Sequence, residues 1–221
     1  MVTGTMDAEN LQRRHQGRIC QARPASTVNK ARQCARVSSE MEPEPPIRLE
    51  PLEDSHVTRY LPLSSDPALV EAMGWDPFEL DEEERFLRYI ETITVPNLSG
   101  GRTIAFSIIE TSSDTPIGYL TIKGFREGGT SAEVGIAIME KEYRGRGLGT
   151  MALKMAADYA FNELGIAHLV LTIFPSNLSA IRCCEKVGFR QTDVLKESWE
   201  MPDGSFADMV VMELTRPEDS H

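Results

Sequence analysis

The chain has 221 residues and no apolar run approaching the roughly 18 that a membrane-crossing helix requires. Its longest apolar strings, such as Leu169 to Phe174, have the length of a strand, so a soluble protein without a membrane partner is expected. Histidine is sparse: His15, His56, His168 and His221 stand far apart. Cysteine is equally sparse, with Cys20 and Cys34 near the start and Cys183 and Cys184 adjacent on one predicted helix. That pattern fits neither a zinc site nor a small disulfide framework, so no metal is expected and a reducing, cytoplasmic setting is favoured. Positive charge is also in deficit, with 23 Lys and Arg against 34 Asp and Glu. The imbalance is uneven, because residues 1–40 carry a net +4 and the remainder therefore −15. Such a field repels a nucleic-acid backbone and suits a cationic small molecule or peptide, so no nucleic-acid partner is expected.

Residues 1–45 lack a sustained apolar period and end in the acidic, proline-rich hinge Glu40 to Pro46, which predicts a disordered basic tail. Arg-rich composition also admits organellar targeting by residues 1–40, against which Asp7 and Glu9 count; initiation at Met41 is an equal reading. A folded domain is expected over 46–216 and a short tail over 217–221.

Within the domain, alternation predicts a first strand at Ile47 to Leu52, followed by two or three helical pieces. One of these begins near Asp81, with Glu84 three residues on as in a capping box. Three strands then follow at Thr103–Glu110, Pro116–Phe125 and Ala132–Met139, separated by turn sequences, as in an antiparallel meander. A helix follows the glycine-rich run, with Leu148, Met151, Ala152, Met155, Tyr159 and Leu164 near one face and Gly165 ending it. Strand His168–Phe174, helix Leu178–Val187 and a closing hairpin of Arg190–Trp199 and Ala207–Leu214 complete the order. The fold class is α+β, with a mixed sheet and a strand after the crossover helix parallel to the one before it.

The run Tyr143–Thr150, YRGRGLGT, holds three glycines and two arginines. A nucleotide P-loop needs a lysine before the Ser or Thr, and Gly149 precedes Thr150 instead. Gly147, Gly149 and Ala152 do satisfy the dinucleotide fingerprint locally, but the next strand ends in Phe174 to Asn177 without the carboxylate that a ribose requires. Arg144, Gly147 and Gly149 also match R/Q-x-x-G-x-G/A, the pyrophosphate loop of the GCN5-related N-acetyltransferases, at a strand-to-helix junction. Asn177 to Phe189, NLSAIRCCEKVGF, is similar to that family's second signature. The resemblance covers roughly residues 46–215, element by element. It implies a mostly antiparallel mixed sheet with helices on both faces and a splayed parallel strand pair.

The resemblance also implies acetyl-coenzyme A as co-substrate and direct acetyl transfer to an amine. Backbone amides of Arg144, Gly145, Arg146, Gly147, Leu148, Gly149 and Thr150 would form an anion nest at a helix N-terminus, with the two arginine side chains adding charge-assisted bonds. Strand amides near Ile138 or Met139 would polarise the thioester carbonyl, and Asn177 would contact the cofactor arm. Glu133 is the candidate base, acting through water, with an exposed strand-end carboxylate as the alternative. Many relatives carry tyrosine where this chain has Cys184, so Cys184 is the candidate acid, with inert helix packing as the alternative. The closing hairpin resembles the subgroup of ribosomal-protein N-terminal acetyltransferases and their small-amine relatives, which implies an acceptor groove near Trp75, Phe78, Trp199 and Asp208, with core packing as the equal alternative for Trp75 and Trp199. The acceptor would be a small cationic amine or a protein N-terminus, and a homodimer is compatible with the resemblance. A non-catalytic acyl-coenzyme A sensor or interaction domain is the competing reading.

Overall fold

The computed structural model describes residues 45–74, 84, 101–125, 128–201 and 203–217, all within one compact unit, Glu42–His221. The tail over 1–44 and most of the helix expected from Asp81 lie outside the described residues; Glu84 itself is helical. Seven strands form one sheet in the order β1-β2-β3-β4-β5-β7-β6. Strand β1 (Ile47–Pro51) begins the chain's path through the sheet, and β2 (Arg102–Glu110), β3 (Thr115–Phe125) and β4 (Ser131–Ile138) form the expected antiparallel meander beside it. Every strand expected from the sequence is present, with ends displaced by one residue at most.

Two short helices separate β1 from β2. Helix α1 (Asp54–Tyr60) opens on a reciprocal capping box between Glu53 and His56. After a 3-10 turn at Leu61–Ser65, helix α2 (Pro67–Met73) starts on Asp66, whose carboxylate accepts from the amides of Ala68 at 3.0 Å and Leu69 at 3.2 Å. Pro67 supplies a preset φ at the first helical position, and Gly74 ends α2 in the left-handed region at φ 63°.

Helix α3 (Leu148–Asn162) crosses from β4 to β5 (His168–Ile173). Its fully buried seam is built from Ala152, Leu153, Ala156, Ala157 and Ala160, with Phe161 near its end. The longer Leu148, Met151, Met155 and Tyr159 flank that seam half-buried. Small alanines at the centre let the helix axis approach the sheet closely, and alanine also has the best helix propensity. The sequence reading placed the face correctly but centred it on the larger side chains.

Helix α4 (Leu178–Val187) and the antiparallel hairpin of β6 (Arg190–Glu200) and β7 (Phe206–Thr215) finish the fold. The main core lies between the sheet and α3 and α4, where Leu120, Ile122, Leu169, Leu171 and Phe189 meet. A second apolar cluster on the other face packs Val57, Tyr60 and Leu69 against Tyr119, Ala137 and Met139. Helices therefore cover both faces.

The feature that positions a site is a break in the sheet's hydrogen bonding. Strands β4 and β5 pair in parallel only from Ser131↔His168 to Glu133↔Val170, although β4 continues to Ile138 and β5 to Ile173. On its other edge β5 remains paired with β7 from His168 to Ile173. The gap is thus confined to one side of β5.

Candidate active site

A cavity of about 170 Å³ occupies that gap. Its lining includes consecutive residues of both strands, Glu133 to Ile136 and Leu171 to Phe174. Side chains alternate across a sheet, so a lining made of consecutive residues means that the cavity passes through the sheet rather than resting on one face. One end meets α4 at Ala180, Cys183 and Cys184, and the other meets Ala72 and Met73 of α2.

The backbone direction in β4 follows from its register with β3. The Met139 amide donates to the Ile117 carbonyl at 2.8 Å, which fixes Ile117 and Met139 as a hydrogen-bonded pair. Amides alternate along a strand, so those of Ile136 and Ile138 are directed towards the open edge. Of the two strand amides proposed from sequence to meet a thioester carbonyl, Ile138 has the required direction. Met139 does not: its N–H is engaged with Ile117 and its carbonyl accepts from Arg144 Nη2 at 2.6 Å.

The glycine loop turns through two left-handed residues, Gly145 at φ 73° and Gly147 at φ 81°, and Gly147 is the N-cap of α3. A Cβ on either would meet no protein atom within 4 Å. Only glycine takes such φ values at little cost, and the first-turn amides of Leu148, Gly149 and Thr150 precede the intrahelical ladder. The Gly147 carbonyl accepts the first helical bond from Met151 at 3.1 Å, and no side chain caps the end. Backbone N–H groups with positive helix-end potential therefore remain available to an anion.

The side chains depart from expectation. Arg144 is folded back, with Nε donating to the Ile138 carbonyl at 2.9 Å, Nη2 to Met139 and Nη1 to Asp66 Oδ1 at 3.0 Å. Its guanidinium is a clamp that ties the end of β4 to the cap of α2, so a bidentate phosphate contact is not its arrangement here. The Arg144 guanidinium, with helix-cap amides beside it, holds the Asp66 carboxyl below the usual carboxylate range. Hydrogen bonds to a charged group contribute about 1.5–3 kcal/mol each, and the pair is about a quarter exposed (24% and 23%). Arg144→Ala should therefore cost roughly 2–3 kcal/mol of stability, read as a lowered midpoint in urea titration; an unchanged midpoint would remove the clamp. Arg146 lies over the Tyr143 ring, 5.4 Å from its centroid, and is exposed. The Thr150 hydroxyl donates to Cys183 Sγ at 3.4 Å, which turns that side chain towards α4.

Asn177 caps α4, its Oδ1 accepting from the Ala180 amide at 3.1 Å, while Nδ2 donates to the Ala72 carbonyl at 3.4 Å. It borders the cavity and links the two helices that flank it.

Glu133 lies in the cavity wall, paired with Lys123 Nζ at 3.4 Å, and its side chain is only 10% exposed. The alternative of an exposed strand-end carboxylate is thereby removed. Lys123 had no place in the sequence reading, although a signal existed: Tyr119, Thr121 and Lys123 are the polar alternates of an otherwise apolar strand, and all three line the cavity.

Cys184 also borders the cavity but is fully packed in the main core. Burial first, then the neighbouring Cys183 and Glu185, push its thiol up to about 12. A thiol raised in this way is a poor proton donor to a coenzyme A thiolate near the ordinary thiol value of about 8.5. Core packing, the alternative to the acid role expected from the sequence, is what the surroundings of Cys184 favour. Cys184→Ala should leave the maximal rate within about threefold of wild type and cost roughly 1–2 kcal/mol in a thermal melt. A hundredfold rate loss would return it to the chemistry.

Of the acceptor residues inferred from the hairpin, Trp75 and Phe78 lie outside the described residues. Trp199 lines the cavity, edge-on to Phe174 with centroids 5.9 Å apart, and among the described residues its buried Nε1 has no hydrogen-bond partner. Asp208 does not line the cavity. Its carboxylate accepts from Lys196 Nζ at 2.6 Å and from the Glu197 amide at 3.0 Å, and these bonds hold it below the usual carboxylate range. Those bonds secure the irregularity between Leu195 and Trp199, where Glu197 adopts φ 48°. Asp208 thus shapes the hairpin segment that leads to Trp199.

No group of three or more His, Cys, Asp or Glu able to hold a metal occurs among the described residues. None of the helices they form is long and apolar enough to cross a membrane.

Known proteins are similar to this chain. Residues 47–190 match the family described as acetyltransferase (GNAT) domain. A probable N-acetyltransferase of Bacillus subtilis is 27% identical over 114 residues, which are 52% of this chain and 62% of that protein. Spermidine N(1)-acetyltransferase of Escherichia coli is 42% identical over a shorter stretch of 52 residues, 24% of this chain and 28% of that enzyme. The chain thus spans about three fifths or less of the length of these curated relatives. Among solved structures, spermidine N-acetyltransferase from Vibrio cholerae in complex with CoA and spermine superposes with a TM-score of 0.62 at 21% identity, over 77% of this chain and 95% of that one. That likeness is one of fold, and with the match over residues 47–190 it leads to one conclusion: the chain belongs to the GNAT acetyltransferase family.

Proposed function

We propose that this chain transfers an acetyl group from acetyl-coenzyme A to a primary amine, through a domain spanning residues 46–216. The observation that carries the reading is the one-sided break between β4 and β5, with the Ile136 and Ile138 amides directed into it and the Arg144–Thr150 loop at its end. An extended pantetheine arm can complete such an edge as an added strand does. The diphosphate would rest on the loop and first-turn amides, with the exposed Arg146 as the cation beside it and Asn177 bordering the arm. Acetyl-coenzyme A supplies an activated thioester carbonyl. The Ile138 amide, directed into the gap, would donate to that oxygen as negative charge develops there.

An amine attacks only when neutral, and Glu133 in the cavity wall would receive its proton, directly or through one water. Trp199 and Phe174 form an aromatic wall for the acceptor. The names of the relatives favour a small amine, and the hairpin's resemblance to ribosomal-protein N-terminal acetyltransferases keeps a peptide N-terminus in the panel. The test follows coenzyme A thiol release with a thiol reagent across polyamines, aminoglycosides, amino acids and N-terminal peptides. Acceptor-dependent release is expected. Tight coenzyme A binding with no such release from any amine would instead identify a sensor domain.

A further inference from the structure

We infer that the acceptor carries a carboxylate close to its reactive amine, and that Lys123 is the specificity-determining residue that binds it. This rests on the acetyl-transfer reading above and deepens it. Lysine is almost never fully buried unless paired, yet Lys123 is only 5% exposed in a strand between Ile122 and Gly124. Among the described residues, it and Glu133 are the charged members of the cavity lining, one of each sign. Their separation of 3.4 Å lies beyond the usual hydrogen-bond range for a charged pair. An ammonium also has three N–H donors, more than one such contact uses.

Next to the pair, Thr121 packs closely over the backbone of β4. Gly135 follows Glu133 on the same face of β4, and a Cβ there would come within 2.8 Å of Thr121 Oγ1. A wall offering a carboxylate and an ammonium complements a group of opposite charges. The amine would face Glu133 while the carboxylate of the same molecule accepts from Lys123. A polyamine would place a second cation against Lys123 and would be disfavoured. The acidic surface of the domain acts on encounter at long range, whereas this pair acts on selection after entry.

Matched acceptors that differ only in the carboxylate provide the test: tyrosine against tyramine, and lysine against cadaverine, each scored by kcat/KM for thiol release. The full chain should favour the carboxylate-bearing member at least tenfold. Lys123→Met should bring that ratio close to one, mainly through KM for the carboxylate-bearing acceptor, and Lys123→Arg should restore much of it. Calorimetry with coenzyme A checks that each variant is folded, and if Lys123→Met does not fold, the wild-type ratio alone decides. Preference for the decarboxylated member, or the same ratio in Lys123→Met, would overturn the inference while leaving acetyl transfer in place. Absence of release from every amine would remove the parent reading, and this one with it.

Discussion

Replacing Gly147 with valine is expected to weaken coenzyme A binding at least a hundredfold while leaving the domain folded. Gly147 sits at φ 81°, and a Cβ there meets no protein atom within 4 Å, so the substitution collides with nothing inside the chain. Its cost to folding is the backbone strain of a left-handed β-branched residue, about 1–2 kcal/mol. The cost to binding is larger, because the added side chain projects from the loop where the diphosphate would approach the backbone, and relaxation of φ would redirect the amides. A hundredfold loss corresponds to about 2.7 kcal/mol. Calorimetry with coenzyme A, paired with a thermal melt, separates the two effects. Unchanged affinity in a folded variant would show that the loop does not hold the diphosphate.

Glu133→Gln should lower kcat by about 10²–10⁴, the usual contribution of a positioned general base, with coenzyme A affinity unchanged. The deficit should shrink as pH rises towards the pKa of the acceptor amine, since solvent then supplies the neutral nucleophile that the carboxylate no longer generates. That pH slope distinguishes a proton acceptor from a mere counterion for Lys123. A counterion's loss would lower stability and leave the pH–rate profile parallel to wild type.

Backbone features of the site were legible in the sequence because they depend on local chemistry. Alternating apolar residues gave the strands, and Gly145 and Gly147 stand where the chain turns through positive φ. The splayed pair of β4 and β5 was implied by the family resemblance that the loop and the second signature carry, and not by strand periodicity. Less could be read of the side chains, because their partners lie far away in sequence. Arg144 was expected to face a phosphate, but Asp66, 78 positions earlier, and the carbonyls of Ile138 and Met139 hold its fork. The hairpin's resemblance implies an acceptor role for Asp208, and only the fold shows that its carboxylate accepts from the Glu197 amide within the hairpin's irregular segment.

Burial decided the remaining cases. Cys184 stands where many relatives have a tyrosine, and adjacency to a signature could not reveal that core packing raises its thiol to about 12. Lys123 was overlooked because a single charge in a strand commonly faces solvent; only the third dimension places it against Glu133 inside the cavity. In both residues the chemistry depends on what the fold encloses, which periodicity does not report.

Everything proposed for the acceptor presupposes that the donor's arm lies in the open edge of β4. Amide-resolved NMR of the isotopically labelled chain, titrated with coenzyme A, tests this directly. The predicted result is saturable shifts and slowed hydrogen exchange at Ile136, Ile138 and the amides from Gly145 to Thr150, with Met139 and its bond to Ile117 little changed. Saturable binding that leaves Ile136, Ile138 and the loop unperturbed would contradict it.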